Sequence, residues 1–302
     1  MTRAWPGARN WGPKGSREFW PDGAKLAISI AVQFEAGAHT PDRKSDSRLP
    51  IEPGSHLSGW DDYGFQEGIP RLLEVFQRRR VRTTFAMLPA AVDRSPQLAK
   101  EIVERGHEAA IPGQSWAPQY ALTAEEERAW FDAALQSIAR ATSERPTGCH
   151  ALRLRGTAST LEIFHELGLT YYSDNAGRDQ PFLIPVRSKP LVVVPCSLEN
   201  SDATAYETHH FTSEQYAGEL RNEFEMLYSE AESRRRMMSI VLLDRLSGRP
   251  ARAKVLEEFI IYVQRRPGVV FMRRDEIARF ALASSLTPQE AIVNAQATAD
   301  AA

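Results

Sequence analysis

Six short segments place polar or ionisable side chains directly after apolar runs, which is where a parallel α/β sheet gathers its chemistry. They are Gln33-Phe34-Glu35-Ala36-Gly37, Pro112-Gly113-Gln114-Ser115-Trp116, Arg153-Leu154-Arg155, Ser173-Asp174-Asn175, the run from Pro195 to Asp202 that contains Cys196, and Leu243-Asp244-Arg245-Leu246. Glu35 is the best candidate for a base. It follows the apolar run Lys25 to Phe34, where loss of water raises the proton affinity of a carboxylate. A base that activates water is what hydrolysis of an amide-type bond requires. Either Glu35 does that, or it is a brace bonded to a nearby arginine. Gln33 shares the same strand end and is taken as a substrate contact. Asp174 and Asp202 either touch substrate or cap the ends of strands. Cys196 follows an apolar strand and is a substrate contact or, more weakly, a nucleophile. Cys149-His150 makes no dyad, because neighbours on a strand point to opposite faces; Cys149 reads as a small buried hydrophobe. His209-His210 is a loop pair that is either surface or reaches over the site. The arginines at 78–80 and 234–236 end helices.

Those segments need a scaffold that alternates strand and helix. The pattern predicts strands at 25–34, 81–88, 107–111, 149–154, 169–172, 191–194, 238–243 and 269–272. Helices are expected at 68–80, from Ser95-Pro96 to Gly106, from the capping box Thr123–Glu126 to about 141, and at 157–167, 213–233, 251–266 and 274–283. Strands joined by helical crossovers are parallel. Seven or eight such units make an α/β fold, a distorted (β/α) barrel of about seven parallel strands. Residues 1–20 form an N-terminal arm, 21–283 the barrel domain and 284–302 a C-terminal tail. The arm carries Trp5, Trp11 and Trp20, too aromatic for a disordered segment. It packs either on its own domain or on a neighbouring subunit.

The 302 residues hold 37 basic and 39 acidic side chains, a net charge of -2, which argues against a nucleic-acid or membrane-surface protein. No apolar run approaches the length of a membrane span. No secretory h-region is present, so the expected location is cytoplasmic. Two cysteines make no disulfide framework or zinc motif. There is no Gly-x-Gly-x-x-Gly after a strand and no Gly-Lys-Ser/Thr loop, so dinucleotide and P-loop readings fall away.

The strand ends together, with Trp20-Pro21-Asp22-Gly23-Ala24-Lys25-Leu26-Ala27, Gly106-His107-Glu108, Met237-Met238-Ser239 and Arg245-Leu246-Ser247-Gly248-Arg249-Pro250, resemble the polysaccharide deacetylase (NodB-homology) superfamily. They are most similar to its metal-independent branch of allantoinase-like and cyclic imide hydrolase enzymes. In metal-dependent members the first acid of Thr-Phe-Asp-Asp-Gly is the base and the second a metal ligand. By that resemblance Glu35 keeps the base position and Ala36 replaces the ligand. Pro112 and Trp116 stand at the metal-binding His-x-x-x-His, and Leu243 at the late catalytic histidine. The resemblance therefore implies no metal and no cofactor. Arg153 matches the third-motif arginine, which orients Glu35 or holds a substrate carbonyl or carboxylate; otherwise it is a structural ion pair. Gln114, Ser115 and Trp116 lie where the metal histidines would be, and an amide and an indole there suit hydrogen bonding and stacking on a planar heterocycle.

Three functions follow as expectations. The first is metal-independent hydrolysis of a carbon–nitrogen bond in a small cyclic amide, imide or ureide, with Glu35 and Arg153 catalytic. The second is an inactive barrel that binds a small molecule or a partner. The third is non-hydrolytic chemistry on a planar heterocycle in the same pocket. The resemblance also implies a homo-oligomer, a dimer or a tetramer.

Overall fold

A computed structural model of the chain describes residues 20–37, 62–115, 119–151 and 156–290. Its centre is β1 (Leu26–Phe34), nine residues that are all buried. Both of its faces are covered by packing layers, and its edges carry three strand neighbours. β8 (Arg236–Leu243) pairs with it in parallel from Leu26 to Gln33. On the other edge β9 (Val269–Phe271) takes Leu26 to Ile28, and β2 (Thr84–Met87) takes Ala31 to Phe34. β3 (Glu108–Ala110) extends the sheet beyond β2. A second sheet runs β4 (Gly148–Cys149), β5 (Tyr171–Tyr172), β7 (Lys189–Val193) and β6 (Phe182–Val186).

Single parallel bridges tie the two sheets, Ile111 to Cys149 and Ser201 to Val241. The α/β class expected from the sequence is what the structure has. Its ladders form two sheets, and a closed barrel is not resolved in them. One pairing departs from the expected parallel pattern: β6 and β7 are an antiparallel hairpin whose turn uses Arg187 in the left-handed region.

The alternation of side chains along β1 sorts the core into two layers. Ile28, Ile30, Val32 and Phe34 join one cluster with helix residues such as Leu72, Phe76 and Phe259. Ala27 joins another with Tyr171, Val192 and Met237, between the sheets. Ser29 and Gln33 share the face of Ala27 by period. The helices of the first layer are α1 (Ile69–Arg79), α2 (Pro89–Arg94), α3 (Pro96–Glu104), α4 (Ala124–Thr142), α5 (Thr160–Glu166), α6 (Ser213–Glu230) and α8 (Pro250–Gln264). The capping box expected at Thr123–Glu126 opens α4, with the Glu126 N–H donating to Thr123 Oγ1 at 3.3 Å and the Thr123 N–H to Glu126 Oε2 at 2.8 Å. A second box, Thr212–Gln215, opens α6.

Trp20 packs on its own domain. It is 2 % exposed, stacks on Phe280, and donates from Nε1 to the Arg236 carbonyl at 2.9 Å. The remaining arm tryptophans, and the long segment 38–61, lie outside the described residues. The start of the tail joins the fold: Gln289 bridges Leu183 of β6, with the Leu183 N–H on the Pro288 carbonyl at 2.8 Å.

Candidate functional site

β1 and β8 run side by side and end together, which brings Glu35 to the segment that follows Leu243. There the chain turns at once into a short helix, α7 (Asp244–Ser247). Asp244 is 1 % exposed, and its carboxylate works as a clamp on the turn after β1. Oδ2 accepts the N–H of Glu35 at 2.9 Å and of Ala36 at 3.0 Å, and Oδ1 accepts that of Arg245 at 2.6 Å. The turn needs such a clamp, since Ala36 sits at φ 44° and Gly37 at φ 76°. A helical turn at Gly64–Gly68 closes over the same carboxylate. A Cβ on Gly64 would lie 2.6 Å from Asp244 Cγ, and one on Gly68 2.3 Å from the Asp244 carbonyl oxygen. Only glycines allow that approach.

Glu35 is 3 % exposed. Burial, reinforced by the charge of Asp244, pushes its carboxyl up from the usual 4.5 to about 8; Arg245 pulls in the opposite direction. Arg245 Nε stands 3.7 Å from Glu35 Oε2, and its Nη1 donates to Glu207 Oε1 at 2.6 Å. The arginine thus bridges Glu35 to the helical turn Thr204–Thr208. Asp202 fastens the floor. Its carboxylate accepts the N–H of Leu243 at 2.9 Å, the N–H of Ser247 at 3.2 Å and the Ser247 hydroxyl at 2.7 Å. Burial raises it to about 7, with the Ser247 hydroxyl working against that rise.

The expected site residues separate. Glu35 and Asp202 both meet the β8–α7 junction. Gln33 is 1 % exposed and points between the sheets, its Nε2 reaching the His150 carbonyl at 3.5 Å. Asp174 Oδ2 accepts the Ala151 N–H at 2.7 Å, tying the ends of β4 and β5. Gln114 is half-buried and Ser115 exposed, beyond a Pro112-Gly113 turn pressed on Trp130. Cys196 lines a cleft of about 220 Å³ with Ser197, Glu223, Met237 and Ser239. Burial lifts its thiol to about 11, so it is not a thiolate at neutral pH. Arg153 and Trp116 lie outside the described residues. Cys149 is wholly buried and burial drives its thiol well above the ordinary value, in keeping with a packing role.

Asp244, Arg245 and Glu207 are the members that sequence reading passed over. The first two stand in the strand-end segment Leu243–Leu246, so the rule that singled out Glu35 also reaches them. Nothing local marks Glu207.

The positions that the resemblance equates with metal ligands do not fit a cation. Ala36 and Pro112 offer no side-chain donor and Trp116 only an indole, while Leu243 stands at the catalytic histidine position. Among the described residues, no three of His, Cys, Asp or Glu are grouped to share a metal ion.

The fold and the strand-end carboxylate define an α/β protein with a buried acid–arginine site at the top of a parallel sheet. The polysaccharide deacetylase family pattern matches residues 56–172. A probable polysaccharide deacetylase from Pseudomonas aeruginosa PAO1 is 30 % identical, with 88 % of this chain and 94 % of that one covered and a TM-score of 0.80. The PuuE allantoinase structure is 28 % identical, covers 88 % and 93 % of the two chains, and superposes with a TM-score of 0.78. The chain belongs to the polysaccharide deacetylase family.

Proposed function

We propose that the protein hydrolyses a carbon–nitrogen bond in a small cyclic amide, imide or ureide without a metal ion, with Glu35 as the base. The observation that carries this reading is the buried Glu35 carboxyl, raised to about 8 and facing Arg245 Nε at 3.7 Å. The likeness to an allantoinase supports the substrate class, and the metal-ligand positions filled by Ala36, Pro112 and Trp116 support the metal-free reading.

In its ionised form Glu35 takes a proton from water while the water oxygen bonds to the substrate carbonyl carbon. The tetrahedral adduct then collapses, the carbon–nitrogen bond breaks, and the Glu35 proton passes to the departing nitrogen. The product is one ring-opened molecule that carries both a carboxylic acid and an amine or amide nitrogen, and Glu35 is again ionised. A raised proton affinity suits both halves, since the same group must accept and return the proton near neutral pH. Arg245 is a positioning residue that holds the Glu35 carboxylate and stabilises its ionised form. Arg153 belongs to this reading as a holder of the substrate carbonyl.

The test is a screen of cyclic imides, hydantoins and allantoin with the wild type and Glu35→Gln, beside metal analysis of the purified protein. Ring opening that depends on Glu35 in metal-free protein is the expected result. No turnover on any of these in wild type would favour the inactive, ligand-binding reading. Wild-type turnover in Glu35→Gln would make Glu35 a brace.

A further inference from the structure

The face of β1 that looks between the sheets is polar well below the Glu35 end. Ser29 and Gln33 lie on it, and Ser239 of β8 stands beside Ser29 in register. Arg274 opens α9 (Arg274–Ala283) and reaches the same space, its Nη2 donating to Ser239 Oγ at 3.0 Å. His150 comes from the end of β4, where its carbonyl meets Gln33 Nε2. Ser173 follows β5, on the face of Tyr171. Ser29, Gln33, His150, Ser173 and Arg274 are each 1 % exposed or less.

This cluster is poorly satisfied. Arg274 Nε and Nη1, both ring nitrogens of His150, the hydroxyls of Ser29 and Ser173, and Gln33 Oε1 have no hydrogen-bond partner among the described residues. An arginine stays charged wherever it is placed. Of the three guanidinium nitrogens one meets a serine hydroxyl and two meet no acceptor among the described residues. The described residues therefore give the charge no hydrogen-bonded carboxylate. Glu108 is linked to Arg274 only through the Arg274 N–H and Thr84 Oγ1, and its oxygens accept from Thr84 Oγ1, Tyr171 OH and the Asp275 N–H rather than from the guanidinium. His150 adds no charge, because burial, and then Arg274, hold its ring well below the ordinary value. It contributes one N–H as a neutral donor.

A buried cation needs a counter-charge as well as hydrogen bonds. Water would supply only the second; a small monoanion supplies both. The cleft beside Cys196 has Ser239, the partner of Arg274, in its wall, so it adjoins the cluster. We propose that the space between the sheets is a binding site for a halide-sized monoanion, held by Arg274 Nε and Nη1 with the hydroxyls of Ser29 and Ser173 and the neutral His150 as further donors. It is distinct from the Glu35 site and does not depend on the hydrolytic reading.

The test uses the full chain and bromide. Crystals grown in sodium bromide should give an anomalous peak within hydrogen-bonding reach of Arg274 Nε or Nη1. In solution at constant ionic strength, with gluconate as the balancing anion, the melting temperature should rise by about 2 °C for each tenfold increase in bromide above its dissociation constant. Arg274→Gln should abolish that rise, whatever its starting stability. Water alone at Arg274 in the bromide crystal overturns the proposal, as does an equal bromide slope in wild type and Arg274→Gln. If Arg274→Gln fails to fold, the wild-type anomalous map decides alone.

Discussion

The Asp244 carboxylate holds Glu35 by its backbone and opposes it by its charge. Oδ2 accepts the Glu35 N–H at 2.9 Å, which fixes the turn after β1. The same negative charge helps raise the proton affinity of the Glu35 side chain, after burial, the larger cause. Structure and reactivity are therefore coupled through one residue.

Glu35→Gln separates the two roles of the carboxylate. Loss of a general base lowers turnover by roughly 10²-fold or more. Folding should be unharmed, because an amide removes a carboxyl that is costly to ionise in a buried place. Steady-state rates and chemical denaturation, measured on the same preparation, check both halves. A variant that is folded and fully active would leave Glu35 a brace to Arg245.

Asp244→Ala and Asp244→Asn should behave differently. The alanine leaves the N–H groups of Glu35, Ala36 and Arg245 without their acceptor, and each buried unmet group costs about 1–3 kcal/mol. A loss of roughly 3 kcal/mol in unfolding free energy is expected even if water reaches some of them. The asparagine keeps one acceptor and removes the charge. It should be milder in stability and should move the ascending limb of the pH–rate profile to lower pH, because Glu35 then ionises more easily. An unmoved limb in a folded Asp244→Asn would show that Asp244 does not tune Glu35.

Much of this arrangement was legible from the sequence, and the limits have physical reasons. β1 and the capping box of α4 are local signals, and they fall where composition put them. β6 was not foreseen because Pro185 interrupts it. A proline is tolerated there since β6 is an edge strand of its sheet, and that is known only from the pairing. The short helix α2 has too few residues for a period. Glu35 was legible as an acid after an apolar run. Its partnership with Asp244 spans 209 residues and exists only because β8 lies against β1.

The pH dependence of stability has a definite sign. Glu35 titrates at about 8 in the folded state, and Glu108 and Asp202 at about 7, each raised chiefly by burial. Between their unfolded values and these, the folded protein holds protons that the unfolded chain has released. Stability must then fall as pH rises. Below about 6.5 His107 acts in the opposite sense, because burial lowers it to about 4. The clear window is therefore about pH 6.5 to 8. Denaturation midpoints should drop across it, and Glu35→Gln should flatten the upper part of the drop. Activity should rise through the same window with an apparent pKa near 8. A stability that climbs from about pH 6.5 to 8 would contradict the burial of these acids.

Gly68→Ala tests whether the helical turn at Gly64–Gly68 is part of the site. Its new methyl would press on the Asp244 carbonyl at 2.3 Å, a backbone atom that cannot swing aside. Overpacking of this kind costs about 1–3 kcal/mol. Displacement of α7 should also shift Asp244 and Arg245 away from Glu35, so activity should fall further than the stability loss alone explains. Gly218 of α6, with nothing within 4 Å of an added Cβ, serves as the neutral comparison. Gly218→Ala should leave activity unchanged and stability unchanged or slightly improved, since alanine is the better helix former.

Metal removal is the test that separates this chain from metal-dependent relatives. Three donors of His or carboxylate type are the usual minimum for a catalytic cation. The corresponding positions here hold Ala36, Pro112 and Trp116, none of which offers a His or carboxylate donor. Ala36 is wholly buried with its N–H on Asp244, and Leu243 gives its N–H to Asp202. The Asp244 and Asp202 carboxylates are thus engaged by backbone donors. Prolonged dialysis against a chelator should leave turnover within experimental error, and added zinc, manganese or cobalt should not raise it. Activity that is lost on chelation and restored by one of these ions would place a cation at the site and return Glu35 to the role of a metal-assisted base.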